Sequence, residues 1–445
     1  MINRWPLDNK TEQGIQRFFR NTKISPQPLI EEIKSRCKAN CPSGHVLVIE
    51  DTVEFNYQHL AGKLRVNDRD IGYISDNRSI GFMAHPALAV DAQQGVPLGL
   101  SELLLFERRI GQGGKKARGY TGLPLEEKES YKWLLSAKGS KQTLSQARQW
   151  TMICDREGDI YELFCRLADE RTHMIVRSNY DRKVVGGQKV SEVLSALEWQ
   201  GDLIVPISAH KGRTARQAHL QVRWASVELA KPDGGGRRRK ALKGYPKSLP
   251  LYIVEVRESE HSVPAGEEPV HWLLWTTHEV QDLQQALQIV KWYAQRWWIE
   301  ELFRVIKTQG FDVERSQLGT GQALKKLVVC CLDQAWKLLL LRQERQGQAQ
   351  LPAQLCFTEQ ECRALAAMQP TLEGATEKQR NPYSPQSLAW AVWLIARLGG
   401  WKPVDLAKKP PGIITLARGL KQFHARFEGW KIAIANFRDS HKFGP

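Results

Sequence analysis

Residues 291–310 read KWYAQRWWIEELFRVIKTQG, and four of their polar side chains recur at helical spacing. Arg296, Glu300 and Lys307 follow Tyr293 by 3, 7 and 14 residues. At about 100° of rotation per residue, the four side chains fall within roughly 60° of one another on a helix. A carboxylate binds divalent metal ions and the cations bind phosphate oxygens. A solvated helix face with Glu–Arg and Glu–Lys pairs has the same spacing, so the pattern alone leaves both interpretations open.

Two further acidic residues end apolar, β-rich runs. Asp51 lies at the end of HVLVIEDT (45–52), and Asp155 lies at the end of WTMICD (150–155). Each alone is typical of a turn or a helix cap. Together with Glu300 they match a two-metal site, in which hard oxygen ligands bind Mg²⁺ or Mn²⁺ and promote an in-line phosphoryl displacement.

The composition predicts a folded, basic protein with a polyanionic partner. The chain has 445 residues, 42% of them hydrophobic, and a formal net charge of +16. That length predicts two or three domains, and that charge favours nucleic acid as a partner, although a merely basic cytoplasmic protein is the alternative. Eight scattered cysteines indicate reduced thiols in the cytoplasm. The apolar run SLAWAVWLIARLGGW (387–401) is too short to span a bilayer, so it predicts a buried helix and no membrane partner.

The order of apolar runs predicts a mixed α/β protein. Short strands and helices alternate between residues 45 and 179. Short β-like runs such as DLIVPIS and LPLYIVEVRE follow, and a long helix is predicted over 281–309, with helices from about 320 onward. Two basic loops, Arg237–Lys240 and GGKKARG (113–119), are expected either to contact phosphate or to be solvated turns.

The pattern Tyr-x-x-Arg-x-x-x-Glu-x(6)-Lys at 293–307 resembles the signature of a group of bacterial insertion-sequence transposases. Those are cut-and-paste enzymes with an Asp-Asp-Glu metal site. Other segments are similar to further motifs of the family: IEDT (49–52), CDREGDI (154–160), EKESYKW (127–133) and RFFRN (17–21). The resemblance runs from about residue 14 to the C-terminal region, and it is weakest there and in the β-rich region.

The resemblance implies a particular α/β architecture, namely a ribonuclease H-like catalytic core with a β-rich insertion and a helical C-terminal region. The expected boundaries are a remnant of an N-terminal helical DNA-binding region (1–44), the first part of the core (45–179), the β-rich insertion (180–278), the last part of the core (279–345) and a helical dimerisation region (346–445).

The resemblance also assigns the site residues. Catalysis and the binding of two Mg²⁺ (or Mn²⁺) ions would fall to Asp51, Asp155 and Glu300. DNA would be contacted by Tyr293, Arg296, Lys307, Arg177 and Trp272. Trp272 lies 21 residues before Tyr293 and resembles a tryptophan that stacks on a flipped base. Extrusion of a base costs a few kcal/mol, and stacking recovers about 1–3 kcal/mol. Trp275 is the nearest rival, and a tryptophan in the core of a strand is the alternative interpretation of Trp272.

The function implied by the resemblance is that of a DDE transposase. Such an enzyme nicks one strand, forms a DNA hairpin, reopens it and transfers the strand into target DNA. Double-stranded DNA and a second copy of the chain would be its partners, near the nucleoid in the cytoplasm. The first similar segment, QGIQRFFRN (13–21), falls late in the family's N-terminal DNA-binding region. We therefore expect impaired end recognition and activity. The alternatives are an end-blind regulator that inhibits active transposase by forming mixed dimers, and a ribonuclease H-like nuclease of other purpose.

We predict strongly salt-dependent DNA binding with poor discrimination of transposon ends. When a protein with a net charge of +16 neutralises DNA phosphates, counterions are released whatever the DNA sequence. Recognition of bases needs a structural element positioned in a groove of the DNA. The measurement is affinity for an end-bearing and a scrambled duplex at matched salt. Each well-made bidentate base contact contributes about 1–3 kcal/mol, so a thousandfold preference for the true end would contradict the expectation.

Overall fold

A single mixed β-sheet organises the computed structural model, which describes residues 9–64, 70–108, 120–207, 209, 213–402 and 409–440. Within those residues eleven strands pair into the sheet. They are β1 His45–Glu50, β2 Val53–Asn56, β3 Gly72–Tyr73, β4 Ile80–Asp91, β5 Pro97–Phe106, β6 Gln149–Cys154, β7 Thr172–Arg177, β8 Gly201–Ile207, β9 Arg216–Ala230, β10 Ser248–Glu258 and β11 His271–Thr276.

Helices cover the sheet and form most of the chain after residue 280. They are α1 Asn9–Arg20, α2 Gln27–Asn40, α3 Tyr131–Thr143, α4 Tyr161–Leu167, α5 Val190–Ser195, α6 Gly236–Ala241, α7 Leu283–Ala294, α8 Trp297–Arg304, α9 Gly321–Glu344, α10 Glu359–Leu372, α11 Leu388–Leu398 and α12 Ile413–Ser440. The mixed α/β class expected from the sequence is confirmed, whereas the ribonuclease H-like core and the five domain boundaries stay predictions.

The centre of the sheet is parallel and its two flanks are antiparallel. The strand order is β2-β4-β1-β6-β7-β11-β10-β9-β8, with β3 and β5 also pairing with β4. Only β1 with β6 and β6 with β7 run parallel among the named strands. The side chains of β1 from Val46 to Glu50 are all buried, since a central strand covered on both faces needs a continuous apolar run. The strands of the β-rich region extend this same sheet through the pairing of β11 with β7.

The prediction of one continuous helix over 281–309 is wrong, because the helix is interrupted. Helix α7 is capped by Asp282, whose side chain accepts a hydrogen bond from the Gln285 amide, and it ends at Ala294. The chain turns at Gln295 and Arg296 before α8, and a π-helical turn, Val305–Gln309, follows. The Trp298 indole donates to the Gln295 side chain across the turn at 3.0 Å. Since the helix is interrupted, the 100° per residue rule does not carry from Tyr293 through to Lys307.

The two predicted basic loops have different outcomes. Residues 113–119 lie outside the described residues. The segment Arg237–Lys240 lies in the short helix α6, where Arg238 donates to the buried Glu162 carboxylate at 2.6 Å. Part of this basic segment therefore serves an internal ion pair.

The C-terminal helices form an apolar layer around α9. Its buried face includes Leu338 to Leu341, and α11 is buried along most of its length, as the sequence predicts. Within the described residues, no helix is both long and apolar enough to cross a membrane. Two glycines allow the backbones of α11 and α12 to touch: a Cβ at Gly419 would lie 1.8 Å from the Ile395 carbonyl oxygen, and one at Gly399 would lie 2.1 Å from that of Thr415.

We predict that Gly419→Ala and Gly429→Ala change stability in opposite directions, although both lie in α12. The first forces α11 and α12 apart, and overpacking of this kind costs about 1–3 kcal/mol. The second meets no atom within 4 Å, so the better helix propensity of alanine should stabilise the helix by about 0.5–1 kcal/mol. Urea unfolding followed by circular dichroism measures both. A Gly419→Ala protein as stable as wild type would show that the helices are not in backbone contact.

Candidate active site

Asp51 and Asp155 lie side by side at one edge of the sheet, although 104 residues separate them in the chain. Strands β1 and β6 are parallel, and their pairing ends with Ile49 opposite Ile153. Each aspartate lies two residues beyond that pair. Neighbouring strands are about 4.8 Å apart, so the register places the two carboxylates at adjacent carboxyl ends of parallel strands, where sheets of this kind bind ligands.

One guanidinium group joins Asp51 to Glu300. Helix α8 packs against β1 and carries Glu300 in its first turn. Arg296 lies 3.6 Å from Asp51 through Nη1 to Oδ2, and its Nη2 donates to Glu300 Oε1. Burial lowers the pKa of Arg296, but the charges of Tyr293, Glu300, Asp155 and Asp51 hold it above its ordinary value. Two of the three predicted carboxylates therefore contact one cation, and the charge of the third, Asp155, also acts on it.

The negative charge at this edge is not fully compensated. Burial raises the pKa of Asp51 to about 6, against the opposing effects of the Thr52 amide and Arg296, and nearby Asp155 adds to the rise. The Thr52 amide donates to Asp51 Oδ1 at 2.7 Å. Asp155 Oδ1 is buried and has no hydrogen-bond partner among the described residues. An unsatisfied buried carboxylate oxygen is costly, and it is the kind of atom that a cation would satisfy.

Tyr293, Trp272 and Arg177 form the neighbouring wall of the site. The Trp272 and Tyr293 rings meet edge to face with centroids 5.1 Å apart. The Tyr293 hydroxyl is buried and unpaired within the described part of the chain. Burial raises the pKa of Tyr293, and the charge of Asp155 adds to this while Arg296 and Arg177 oppose it. Arg177 ends β7 and donates to the His271 carbonyl at 3.0 Å.

The two rival tryptophans of β11 lie on opposite faces of the sheet. Trp275 is fully buried and its indole donates to Ser178 Oγ at 3.0 Å. Trp272 is half-buried and packs against the core cluster that contains Tyr293. Trp275 is thus the core tryptophan, and Trp272 is the one that contacts Tyr293.

The Lys307 ammonium group contacts an acid and an aromatic ring outside the predicted set. Lys307 belongs to the π-helical turn Val305–Gln309. Its ammonium group is 3.4 Å from Glu314 Oε1 and 5.8 Å from the centroid of the Phe55 ring. Within the described residues it forms no ion pair with Asp51, Asp155 or Glu300. Ion pairs, a ring contact and electrostatic interactions thus link seven of the eight predicted residues, whereas Lys307 pairs with Glu314.

Sequence reasoning missed the residue that anchors α8. Glu301 is buried, and its carboxylate accepts from Arg342 Nη1 of α9 at 2.6 Å and from Arg304. Adjacent acids at 300 and 301 are rotated by about 100° from one another around a helix, so they face different surroundings. The apolar neighbours Ile299 and Leu302, which are buried with Glu301, are a signal in the sequence that Glu301 faces inward.

The donor chemistry of this edge suits a hard divalent cation. All of the proposed ligands are carboxylate oxygens, which Mg²⁺ and Mn²⁺ prefer, and Asp155 Oδ1 lacks a partner among the described residues. No group of three or more His, Cys, Asp or Glu residues is already arranged to hold a metal ion in the part of the chain that is described. Arg296 provides the positive charge between Asp51 and Glu300, so metal binding requires this guanidinium to move.

A groove of about 1400 Å³ lies near the segments that follow the two strand ends, and neither Asp51 nor Asp155 is among its lining residues. Thr52, Arg156 and Glu157, the neighbours of the two aspartates in the chain, line one side of it. Several of its cations are paired with acids, as in Lys132 with Glu157 at 3.3 Å.

Comparison with known proteins gives little beyond this geometry. No protein-family model matches the chain. Among solved structures, the chain is similar to a piggyBac transposase in a cryo-EM synaptic complex with hairpin DNA, with a TM-score of 0.30 and 11% sequence identity. The match covers 78% of this chain and 63% of the other, so the chain spans less than two thirds of that protein's length. A TM-score of this size does not establish a shared fold.

We predict that Asp51→Asn stabilises the metal-free protein at pH 8 and has little effect near pH 4. An acid whose folded pKa of about 6 exceeds its ordinary 3.8 is most favourable to folding when protonated, so wild-type stability falls as pH rises between those values. A rise of this size corresponds to at most about 3 kcal/mol. Since the side chain is 30% exposed, we expect about 1–2 kcal/mol.

Unfolding midpoints in EDTA at both pH values measure this effect. Asp76→Asn is the control of opposite sign, because hydrogen bonds from the Ser79 side chain and the Arg78 and Ser79 amides lower the pKa of Asp76. An Asp51→Asn protein that is less stable at every pH would show that the ion pair with Arg296 outweighs the burial of the carboxylate.

Proposed function

We propose that the protein is a metal-dependent DNA-cleaving and strand-transferring enzyme, a transposase of the Asp-Asp-Glu type. The observation that carries this proposal is the pairing of β1 with β6, whose register puts Asp51 next to Asp155, with Glu300 held to Asp51 through Arg296. Nothing in the fold requires three carboxylates from two strand ends and one helix to lie near one another. Without cations, their mutual repulsion would destabilise the folded protein.

Asp51, Asp155 and Glu300 would hold the metal, as two Mg²⁺ or Mn²⁺ ions. Bound there, the metal would supply Lewis acidity to the scissile phosphate and lower the pKa of an attacking water. Arg296 would leave its position between Asp51 and Glu300 and bind a phosphate oxygen instead, since a guanidinium group pairs with phosphate as readily as with carboxylate. Arg296 would thus neutralise the carboxylates in the absence of metal, and a DNA phosphate once DNA is bound.

The wall beside the carboxylates would orient the DNA strand. Arg177 and the Tyr293 hydroxyl would bind phosphate oxygens, and Trp272 would stack on a base extruded at the cleavage point. Extrusion is needed if the freed 3′-hydroxyl attacks the opposite strand to form a hairpin, because a strand cannot turn so tightly with its bases stacked. Lys307, seven residues after Glu300, lies about 10 Å further along the helix axis and would bind a more distant phosphate.

The partners of the proposed reaction are transposon-end and target DNA, and a second copy of the chain. The net charge of +16 supports a polyanionic partner. We also propose that the dimer forms through the C-terminal helices.

A second candidate function is DNA binding without cleavage, as in a regulator that forms mixed dimers with active transposase. The observation in its favour is the bridging position of Arg296, which occupies Asp51 and Glu300 at once. A regulator would keep this closed arrangement when DNA binds.

The test of the proposed function is Glu300→Gln, which keeps the shape of the side chain and removes its charge. We expect Mg²⁺-dependent cleavage of an end-bearing duplex to fall by more than the 10–100-fold typical of residues that only support a metal ligand. DNA affinity should stay within about twofold, since phosphate contacts dominate it. The matched control is Glu359→Gln, because Glu359 also pairs with an arginine four residues away but on an exposed surface of α10.

Cleavage by Glu300→Gln at the wild-type rate would remove Glu300 from the mechanism. Wild-type protein that binds the duplex but does not cleave it in Mg²⁺ or Mn²⁺ would favour the regulator.

A further inference from the structure

Asp51 and Thr52 lie in a two-residue gap in an otherwise continuous β-ladder. Strands β1 and β2 both pair with β4 in one register, with Glu50 opposite Ala87 before the gap and Val53 opposite Ala84 after it. The register places Asp51 opposite Pro86 and Thr52 opposite His85. Proline has no backbone N–H to offer a ladder. Two residues that include a proposed metal ligand are therefore not held by regular strand pairing.

The His85 side chain bridges this gap. Its Nδ1 lies 2.9 Å from Thr52 Oγ1. Thr52 in turn donates its amide to Asp51 Oδ1 at 2.7 Å. A side chain thus provides the cross-strand contacts that the backbone does not form here.

Glu50 holds His85 from the other side. Its Oε2 lies 3.3 Å from His85 Nε2, and both side chains are completely buried. The Trp133 ring meets the imidazole edge to face with centroids 4.5 Å apart. With both ring nitrogens engaged and one edge against an indole, the imidazole has a single orientation. Glu50, His85 and Thr52 form a continuous chain of contacts from the core to Asp51, which we term the Glu50–His85–Thr52 chain.

We propose that His85 is a positioning residue that fixes the Asp51 carboxylate for metal binding by way of Thr52. This inference rests on the proposed function, since it assigns the support of one of its ligands. Residues that orient a metal ligand change metal affinity or activity by about 10–100-fold when they are replaced. A gap of two unpaired residues would otherwise let the Asp51 carboxylate vary by more than the half ångström that such sites tolerate.

Thr52→Val tests the proposal with the least structural change, because valine has the shape of threonine without its hydroxyl. Thr52→Ser restores the hydroxyl and should restore function. The matched control is Thr151→Val on the neighbouring strand β6. Thr151 Oγ1 also lies between imidazoles, 2.7 Å from His45 Nε2 and 2.8 Å from His278 Nε2, but it belongs to the opposite end of the parallel strands.

The primary readout is the binding of Mn²⁺ alone to the full-length protein, followed by electron paramagnetic resonance of the free ion. We expect Thr52→Val to bind Mn²⁺ at least about tenfold more weakly than wild type, Thr52→Ser to bind within about twofold, and Thr151→Val to be unchanged. The melting temperatures of both valine variants should fall by similar amounts, since each variant loses a threonine–histidine contact. Wild-type Mn²⁺ affinity in Thr52→Val, or equal weakening in both valine variants, overturns the proposal.

Hydrogen–deuterium exchange of the amides at 51–53 tests the positioning role of His85 independently of metal binding. We expect faster exchange there in Thr52→Val and in His85→Gln but not in Thr151→Val. If wild type binds Mn²⁺ no better than Asp51→Asn, the metal-binding function fails. Faster exchange confined to the Thr52 and His85 variants still supports His85 as the residue that holds the segment, and unchanged exchange overturns that role.

Discussion

The parallel pairing of β1 with β6 is the constraint on which the proposed site depends. It aligns two strand ends that lie 104 residues apart in the chain, and each strand is followed at once by an aspartate. Because both strands are buried on both faces, the register is strongly specified, since a slip of one residue would turn every side chain to the other face. The position of the two carboxylates is therefore a consequence of core packing, and the remaining parts of the site are added around it.

Charge balance is the second determinant of the site. Asp51, Asp155 and Glu300 would repel one another, and Arg296 reduces that repulsion by contacting Asp51 and Glu300. The compensation is partial, as the raised pKa of Asp51 and the unpaired Asp155 Oδ1 indicate. A cation that binds in such a site would reduce the remaining electrostatic repulsion. In the proposed enzyme, the same unfavourable arrangement would become favourable only when metal and DNA are both present.

The supports of the site lie one layer behind it and are less apparent than the site itself. Glu301 ties α8 to α9 through Arg342, and the Glu50–His85–Thr52 chain holds the segment that follows β1. In both cases an acid next to a proposed ligand in the chain points inward and fixes the element that carries the ligand. The geometry of both elements makes this possible, because successive side chains face opposite sides of a strand and differ by about 100° around a helix.

The sequence by itself determined the α/β class, the two acidic strand ends, the apolar helices after residue 320 and the Tyr293–Lys307 spacing, because local periodicity and residue chemistry carry that information. It did not determine that the helix over 281–309 breaks at Gln295 and Arg296, or that Lys307 pairs with Glu314. Nor did it show which of Trp272 and Trp275 faces Tyr293. Those outcomes depend on contacts between residues far apart in the chain. Only the tertiary structure decides them, since it sets which faces of the strands and helices are buried against one another.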